Sequence, residues 1–326
     1  MDYVSLGGSG LKVSRIALGA FAFGDPAWQP WMLTEEQSRP IIRRAIELGI
    51  NFLDTSDMYS QGVSEEILGR AWPDFARREE LVLSTKAFAP TGASVNERGL
   101  SRKHLFDAID LSLKRLRTDY VDIYQIHRAD VSTPIEETLE AMHDIVKAGK
   151  ARYFGASNML AWQLMRTLAI CDRRGWTRPI VVQNHYNLAY REEEREMVEL
   201  CLLEKVGMTP WSPLARGFLA GTMSRTGKDR SRRSTTDPYI SAYFNQNHDF
   251  AVLAEAEACA QRHGVPVAQV SLAWLLAKPA VTAPIVGATK IAHIESAVEA
   301  LNLKLTPDDM TAMESPYRPH PVLLHR

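Results

Sequence analysis

The 326-residue chain carries 38 basic and 39 acidic side chains, a formal net charge of −1, so it offers no global attraction for nucleic acid or an anionic membrane. Its length suits one large α/β domain or two small ones with a substantial core, and 45% hydrophobic content is ordinary for a globular protein. Three scattered cysteines (Cys171, Cys201, Cys259) form no C-x-x-C pair, no stretch is apolar for long enough to span a bilayer, and the first residues lack signal-peptide character, which together predict a soluble cytoplasmic protein.

Residues 2–14 predict a hairpin, with strands 3–6 and 11–13 flanking the turn Gly7-Gly8-Ser9-Gly10. This turn joins two strands, opens no helix and lacks a third glycine, which argues against a dinucleotide fingerprint. Strand-like and helical segments then alternate. Strand 15–19 precedes an aromatic loop, 21–33, and a helix from Thr34 with Gln37 placed for a capping box. Strand 52–54 leads to a short helix from Ser64, with Glu65 and Glu66 in its first turn. Strand 81–85 leads to helix 101–116, whose Leu105, Ile109, Leu113 and Leu116 recur at helical spacing. Strand 121–126 is followed by helix 134–148, with Thr133 expected as N-cap and Pro134 at the first position. Strand 151–155, helix 161–173, strand 180–183, helix 192–205 and strand 207–211 continue the pattern.

The segment 217–248 is polar and basic, with Arg225, Lys228, Arg230, Arg232 and Arg233. A connection of that length inside a domain is usually functional or unstructured, and clamping a pyrophosphate or lying solvated are both open. Helices over 249–263 and 266–278, strand 283–286 and helix 290–300 follow. Eight βα units without a linker-like change in composition predict an α/β fold, a (β/α)8 TIM barrel, as a single domain over 1–326 with the hairpin closing its bottom. A doubly wound sheet would need a glycine-rich first βα turn, which is missing.

Functional groups of a barrel gather at the C-terminal ends of its strands. Those ends hold Asp54, Lys86, His127, Ser157 with Asn158, Gln183, Trp211 with Ser212, and Gly287. An acid ending a buried strand is costly unless paired, so Asp54 predicts a neighbouring cation, and Lys86 ends the next strand. Tyr59 lies five residues beyond Asp54 and would share that cation. A phenol, with pKa near ~10, is a poor acid at neutral pH; an adjacent ammonium favours phenolate and is expected to lower that value. With His127 bonding a substrate oxygen from another side, Tyr59 would protonate a carbonyl oxygen as hydride reaches carbon. Singly, each residue has a structural explanation: a buried Asp–Lys pair, a packed Tyr, a His satisfying a carbonyl. No Tyr is followed four residues later by Lys, and H-E-x-x-H, G-x-S-x-G, a P-loop and metal-ligand histidine spacing are all missing. Trp28 and Trp31, on the loop after the first strand, are candidate walls of a substrate pocket, with Trp28 favoured.

The segments G-I-N-F-L-D-T-S-D-M-Y-S (49–60), S-T-K (84–86), D-I-Y-Q-I-H (122–127), G-A-S-N (155–158) and P-W-S-P-L-A-R-G (210–217) resemble aldo-keto reductase signatures in order and spacing. Within that superfamily, 183–197 and 316–322 resemble the bacterial group around aryl-alcohol dehydrogenases and 1-deoxyxylulose-5-phosphate-forming reductases. The resemblance implies a tetrad of Asp54, Tyr59, Lys86 and His127 with Tyr59 as general acid, and NADPH extended across the barrel mouth. It implies that Ser157, Asn158 and Gln183 bind the nicotinamide carboxamide and that Trp211, where many relatives have Tyr, stacks on the ring. Ser212, Pro213 and Leu214 would line the pyrophosphate. Gly287 and Thr289 open the last predicted helix, where Lys290, in place of the Arg of many relatives, and His293 would meet the adenosine 2′-phosphate. The implied partner is a small carbonyl substrate, with no nucleic acid, metal or membrane. The rival is a regulatory subunit that keeps cofactor and barrel without turnover, as some potassium-channel β subunits of that superfamily suggest.

Overall fold

The structure is a computed structural model that describes residues 1–222, 236–237, 243–244 and 246–322. Strands β1 (Tyr3–Ser5) and β2 (Lys12–Ser14) pair antiparallel as the expected hairpin. The fully buried Leu6 and Val13 pack on Ala17, Phe52, Val82, Ile123, Val181, Ala283 and Ile285, near the N-terminal starts of the barrel strands. Gly7 has φ +58°, and a Cβ there would lie 2.6 Å from the Gly207 backbone nitrogen, so only glycine lets the turn seat on the barrel floor.

The barrel strands are β3 (Ala17–Gly19), β4 (Phe52–Asp54), β5 (Val82–Ala87), β6 (Val121–Ile126), β7 (Ala151–Ser157), β8 (Val181–Gln183), β9 (Gly207–Met208) and β10 (Ile285–Gly287). They are parallel, in the order β10-β3-β4-β5-β6-β7-β8-β9. The ring closes where Thr282 N–H donates to Met208 O at 2.8 Å and Ile285 N–H to Pro210 O at 2.9 Å. Around it run α1 (Glu35–Glu47), α2 (Val63–Ala71), α3 (Arg102–Leu116), α4 (Ile135–Lys147), α5 (Ala161–Arg174), α6 (Met197–Glu204), α7 (Asn247–His263), α8 (Val267–Leu276), α9 (Ile291–Glu299) and α10 (Pro307–Glu314). Every residue of β5 and β6 is buried, as expected of strands covered on both faces. Deep apolar side chains such as Phe154 and Trp274 fill the space between strands and helices.

Several expected boundaries shift for identifiable reasons. Thr133 does not cap α4: its hydroxyl donates to Asp130 Oδ2 at 2.7 Å, and Pro134 takes the cap position. The helix expected over 192–205 is split into a 3-10 turn, Glu192–Arg195, and α6. Glu192 is drawn away by Tyr317 Oη (2.5 Å) and the His320 N–H (2.8 Å), and Glu194 by Tyr186 Oη (2.6 Å). The strand expected over 207–211 ends at Met208, since Pro210 has no N–H to extend the ladder, and Trp211 keeps only isolated bridges, to His185 and to Ile285. Helix α10, with Thr306 capping it through the Asp309 N–H, was not expected. The basic run Arg225, Lys228, Arg230, Arg232 and Arg233 lies outside the described residues.

Candidate active site

Strand alternation brings the polar residues inward at the mouth. In β6, Ile123 reaches the floor cluster, so Gln125 two residues on faces the same interior and His127 follows just beyond the strand. Tyr124, of opposite parity, instead donates its hydroxyl to Leu105 O of α3 at 3.2 Å. Lys86, fully buried, donates to Asp54 Oδ2 at 2.6 Å and to Thr55 O at 2.7 Å. The other carboxylate oxygen of Asp54 accepts from Gln125 Nε2 (3.3 Å) and Gln183 Nε2 (3.1 Å). The expected Asp54–Lys86 pair is thus present, with its remaining lone pairs satisfied as burial of a charge demands.

Tyr59 is held by a tight turn. Ser60 and Gln61 are left-handed at φ 51° and 53°, followed by Gly62 at φ 91°, where a Cβ would lie 2.6 Å from Arg115 Nε. Ser60 Oγ accepts from the Asp25 N–H at 2.8 Å and ties the turn to the aromatic loop. The Tyr59 ring then lies edge-on to Phe21 (4.8 Å) and His127 (5.8 Å), with the Lys86 ammonium 5.3 Å from its centroid. The tetrad residues therefore converge on one spot.

The electrostatics differ in one respect from the expectation. Burial raises the Tyr59 phenol above its ordinary value; Lys86 pulls the other way without reversing the shift. Lys86 moderates the phenol rather than making it more acidic than in water. Burial alone would depress the Lys86 ammonium, yet Asp54 and Tyr59 hold it above its ordinary value, so it stays charged. Burial, then Lys86 and Arg128, hold His127 well below the ordinary imidazole range, so it is neutral at working pH. Its Nδ1 lies 3.0 Å from Ser56 Oγ.

On the far side of the mouth the polar groups largely satisfy one another. Ser157 Oγ donates to Gln183 O (2.6 Å), and Asn158 Nδ2 donates to His127 O (3.0 Å) and Ser157 Oγ (2.9 Å). Asn158 Oδ1 accepts from Trp211 Nε1 at 3.0 Å. With its Nε2 on Asp54, Gln183 retains its carbonyl oxygen for an amide donor, which suits a carboxamide. Trp211 stacks on His185 (4.2 Å, 11°), which stacks on Tyr190 (4.3 Å, 12°), so one indole face is backed and the other is left for a flat ring. Beside it Ser212 has φ 50°, Pro213 is buried and Leu214 half-buried. Gly287 and Lys290 are exposed, and Lys290 is the N-cap of α9 with no side-chain capping bond; the His293 N–H turns back to Lys290 O at 3.1 Å, which leaves the N–H groups of Ile291 and Ala292 for an anion. His293 Nδ1 lies 3.4 Å from Thr289 N and Oγ1, and burial, then Lys290, hold its pKa below the ordinary range. These donors and surfaces fit a dinucleotide carrying a nicotinamide amide and a terminal phosphate.

Trp28 is half-buried, 6.1 Å from Phe21, and Phe21 stands between it and Tyr59; Trp31 is buried. Phe21 was missed because an aromatic directly after a strand reads equally as core. Gln125 was legible in principle, as a polar residue at the parity of His127 within an apolar run. Arg216, left-handed at φ 58° and bonded to Asp237 Oδ2 at 2.6 Å, exerts a lowering influence on Tyr59 that no spacing announces.

A family model described as "Aldo/keto reductase family" matches residues 15–318. The chain is 42% identical over 341 residues to the versiconal hemiacetal acetate reductase of Aspergillus parasiticus, covering 98% of each chain. It is 39% identical over 349 residues to an aldo-keto reductase of Metarhizium robertsii, covering 100% of this chain and 93% of that one. It is also 39% identical over 345 residues to a Schizosaccharomyces pombe protein provisionally named an aryl-alcohol dehydrogenase (98% and 97% covered). These relatives are fungal, so they lend nothing to the bacterial side of the resemblance drawn from 183–197 and 316–322. Among the described residues no helix is long and apolar enough to cross a membrane.

Proposed function

The chain belongs to the aldo/keto reductase family, and on that premise we propose that it reduces an aldehyde or ketone to the alcohol with NADPH, with Tyr59 as the proton donor. The observation that carries this is the convergence of Tyr59 on the buried Asp54–Lys86 pair beside a neutral His127. When bound, NADPH would supply the hydride that the carbonyl carbon takes up. The Tyr59 hydroxyl gives its proton to the carbonyl oxygen as negative charge develops there, and the alcohol forms with one hydride and one proton added. Lys86, held by Asp54 and Thr55 O, stabilises the phenolate left behind. His127, beside the Tyr59 ring, would bond the same oxygen from another side and orient it. The raised phenol pKa suits this role, since the donor keeps its proton until the oxygen becomes basic.

Gln183 with Ser157 and Asn158 would receive the carboxamide, Trp211 the nicotinamide ring, Ser212, Pro213 and Leu214 the pyrophosphate. Thr289, Lys290 and the start of α9, with Gly287 leaving room above, would take the 2′-phosphate. The aromatic wall of Phe21 and Trp28 supports a bulky or aromatic carbonyl, in keeping with the names of the aryl-alcohol and hemiacetal relatives. The same groups serve alcohol oxidation, since each proton step is reversible. Three free, buried cysteines support a reducing, cytoplasmic setting, with residues 1–326 acting as one domain and neither nucleic acid nor membrane as partner. The test is NADPH consumption across aromatic aldehydes, ketosugars and quinone-like ketones. Turnover of at least one class is expected; stoichiometric cofactor binding without turnover across the panel would favour a regulatory subunit.

A further inference from the structure

Beneath the tetrad lies a buried acid that the reaction as derived does not use. Asp57 is 1% exposed; its Oδ1 lies 3.2 Å from Ser56 Oγ, which lies 3.0 Å from His127 Nδ1. Its Oδ2 has no hydrogen-bond partner among the described residues. The Asp57 N–H donates to Lys86 O at 3.1 Å, so the loop is clamped to β5 and the chain of atoms is fixed. We propose that Asp57 is a positioning residue that acts through Ser56 to select the tautomer of His127, and so decides whether that imidazole offers the substrate oxygen a donor or an acceptor. This rests on the role of His127 in the proposed reduction.

The two states follow from the donors available. As a carboxylic acid, Asp57 donates to Ser56 Oγ, Ser56 donates to His127 Nδ1, and the ring proton sits on Nε2, facing outward as a donor. As a carboxylate, Asp57 accepts from Ser56, Ser56 accepts from Nδ1–H, and Nε2 is left with a lone pair. The first state suits an oxygen gaining negative charge; the second suits the hydroxyl of an alcohol. Ser56 has one competing acceptor, Lys86 O at 3.3 Å, which would hold the second arrangement regardless of Asp57.

The surroundings favour the acid form. From α2, the fully buried Glu65 faces Asp57, and Arg115 of α3 is bonded to Glu65 at 3.1 Å. From β6, Tyr124 turns its hydroxyl to Leu105 O, and from β5 the Lys86 ammonium is bonded to Asp54 and Thr55. Burial, then Glu65, push the Asp57 carboxyl up to about 8, against smaller opposing contributions from Ser56, Arg115 and the Met58 N–H. A group poised there changes state near working pH.

Nitrogen-15 NMR of the histidine-labelled full chain, with the His127 signal assigned from His127→Gln, reads the tautomer without any turnover. The native protein should show Nε2–H below about pH 7 and move to Nδ1–H as pH passes about 8. Asp57→Asn, whose amide is a permanent donor to Ser56, should keep Nε2–H throughout, and Ser56→Ala should uncouple the ring from pH. In kinetics, native reduction should fall about 10- to 100-fold on the alkaline side as one bond to a charged oxygen is lost, and Asp57→Asn should lack that limb. A native His127 that keeps one tautomer across this range, or an Asp57→Asn protein that titrates like the native one, overturns the proposal. Should Asp57→Asn not fold, the native titration and Ser56→Ala decide alone. A tautomer switch without carbonyl turnover would refute the proposed function and leave the relay standing; turnover without a switch would do the reverse.

Discussion

Replacing Lys86 by Met probes the buried charge pair on which the site is built. Met nearly preserves the aliphatic stem but removes the ammonium, and the Lys86 and Asp54 side chains are 0% and 2% exposed. At 2.6 Å the direct attraction is about 6 kcal/mol for an effective dielectric near 20, partly offset by desolvation of both ions. In the variant, Asp54 Oδ1 keeps Gln125 and Gln183, while Oδ2 loses its partner and the carboxylate stays buried. Such an uncompensated charge costs about 3–5 kcal/mol of stability. Removing the orphan as well, in Asp54→Asn with Lys86→Met, should recover most of that loss, so the double change should be milder than the single one. Equilibrium urea unfolding, followed by circular dichroism and tryptophan fluorescence with coincident transitions, measures both. A Lys86→Met protein within about 1 kcal/mol of native, the range of an exposed ion pair, would refute the reasoning.

Lys290→Met should lose much of an initial preference for NADPH over NADH, and equal affinity for the two in the native protein would remove the basis for a 2′-phosphate site at α9. Trp28→Ala should lower kcat/KM for bulky carbonyls with little change in NADPH affinity, and Phe21→Ala should do so more strongly, because Phe21 touches Tyr59 directly; indifference across a substrate panel would assign both rings to packing. Asp57→Asn should stabilise the protein, with a sign fixed by linkage: a folded-state pKa raised to about 8 gives a contribution that is whole below the unfolded carboxyl value and is lost as pH rises towards 8. The advantage of the Asn variant should therefore grow between about pH 4 and 8, by at most about 1.4 kcal/mol per pH unit, and level off above; a gain independent of pH would contradict it.

What the sequence disclosed and what it hid follow from the range of the forces involved. Strand ends were legible because a polar residue closing an apolar run, as at Asp54, Lys86 and His127, is a local signal. That three such ends meet in space followed from the (β/α)8 topology, which the alternation of elements makes nearly unavoidable. The direction of the Tyr59 shift was not legible, because it depends on how completely the ring is buried against Phe21 and His127, a long-range packing outcome. The split of the helix over 192–205 was hidden for the same reason, since Tyr317 and His320, more than a hundred residues on, draw Glu192 away. Nothing in the order of residues around Asp57 marks it as a titrating group; only its depth beside Glu65 makes it one.

The most direct measurement is the steady-state reduction of a turned-over carbonyl by Tyr59→Phe, alongside NADPH binding read from tryptophan fluorescence. The change keeps the ring and its contacts with Phe21 and His127 while removing the one proton the site is proposed to deliver. General acid catalysis contributes about 10²- to 10⁴-fold, so kcat should fall by that factor with cofactor affinity nearly unchanged. A Tyr59→Phe enzyme that kept most of the native rate would show that another group or water supplies the proton, and that the convergence of Asp54, Lys86, His127 and Tyr59 is structural.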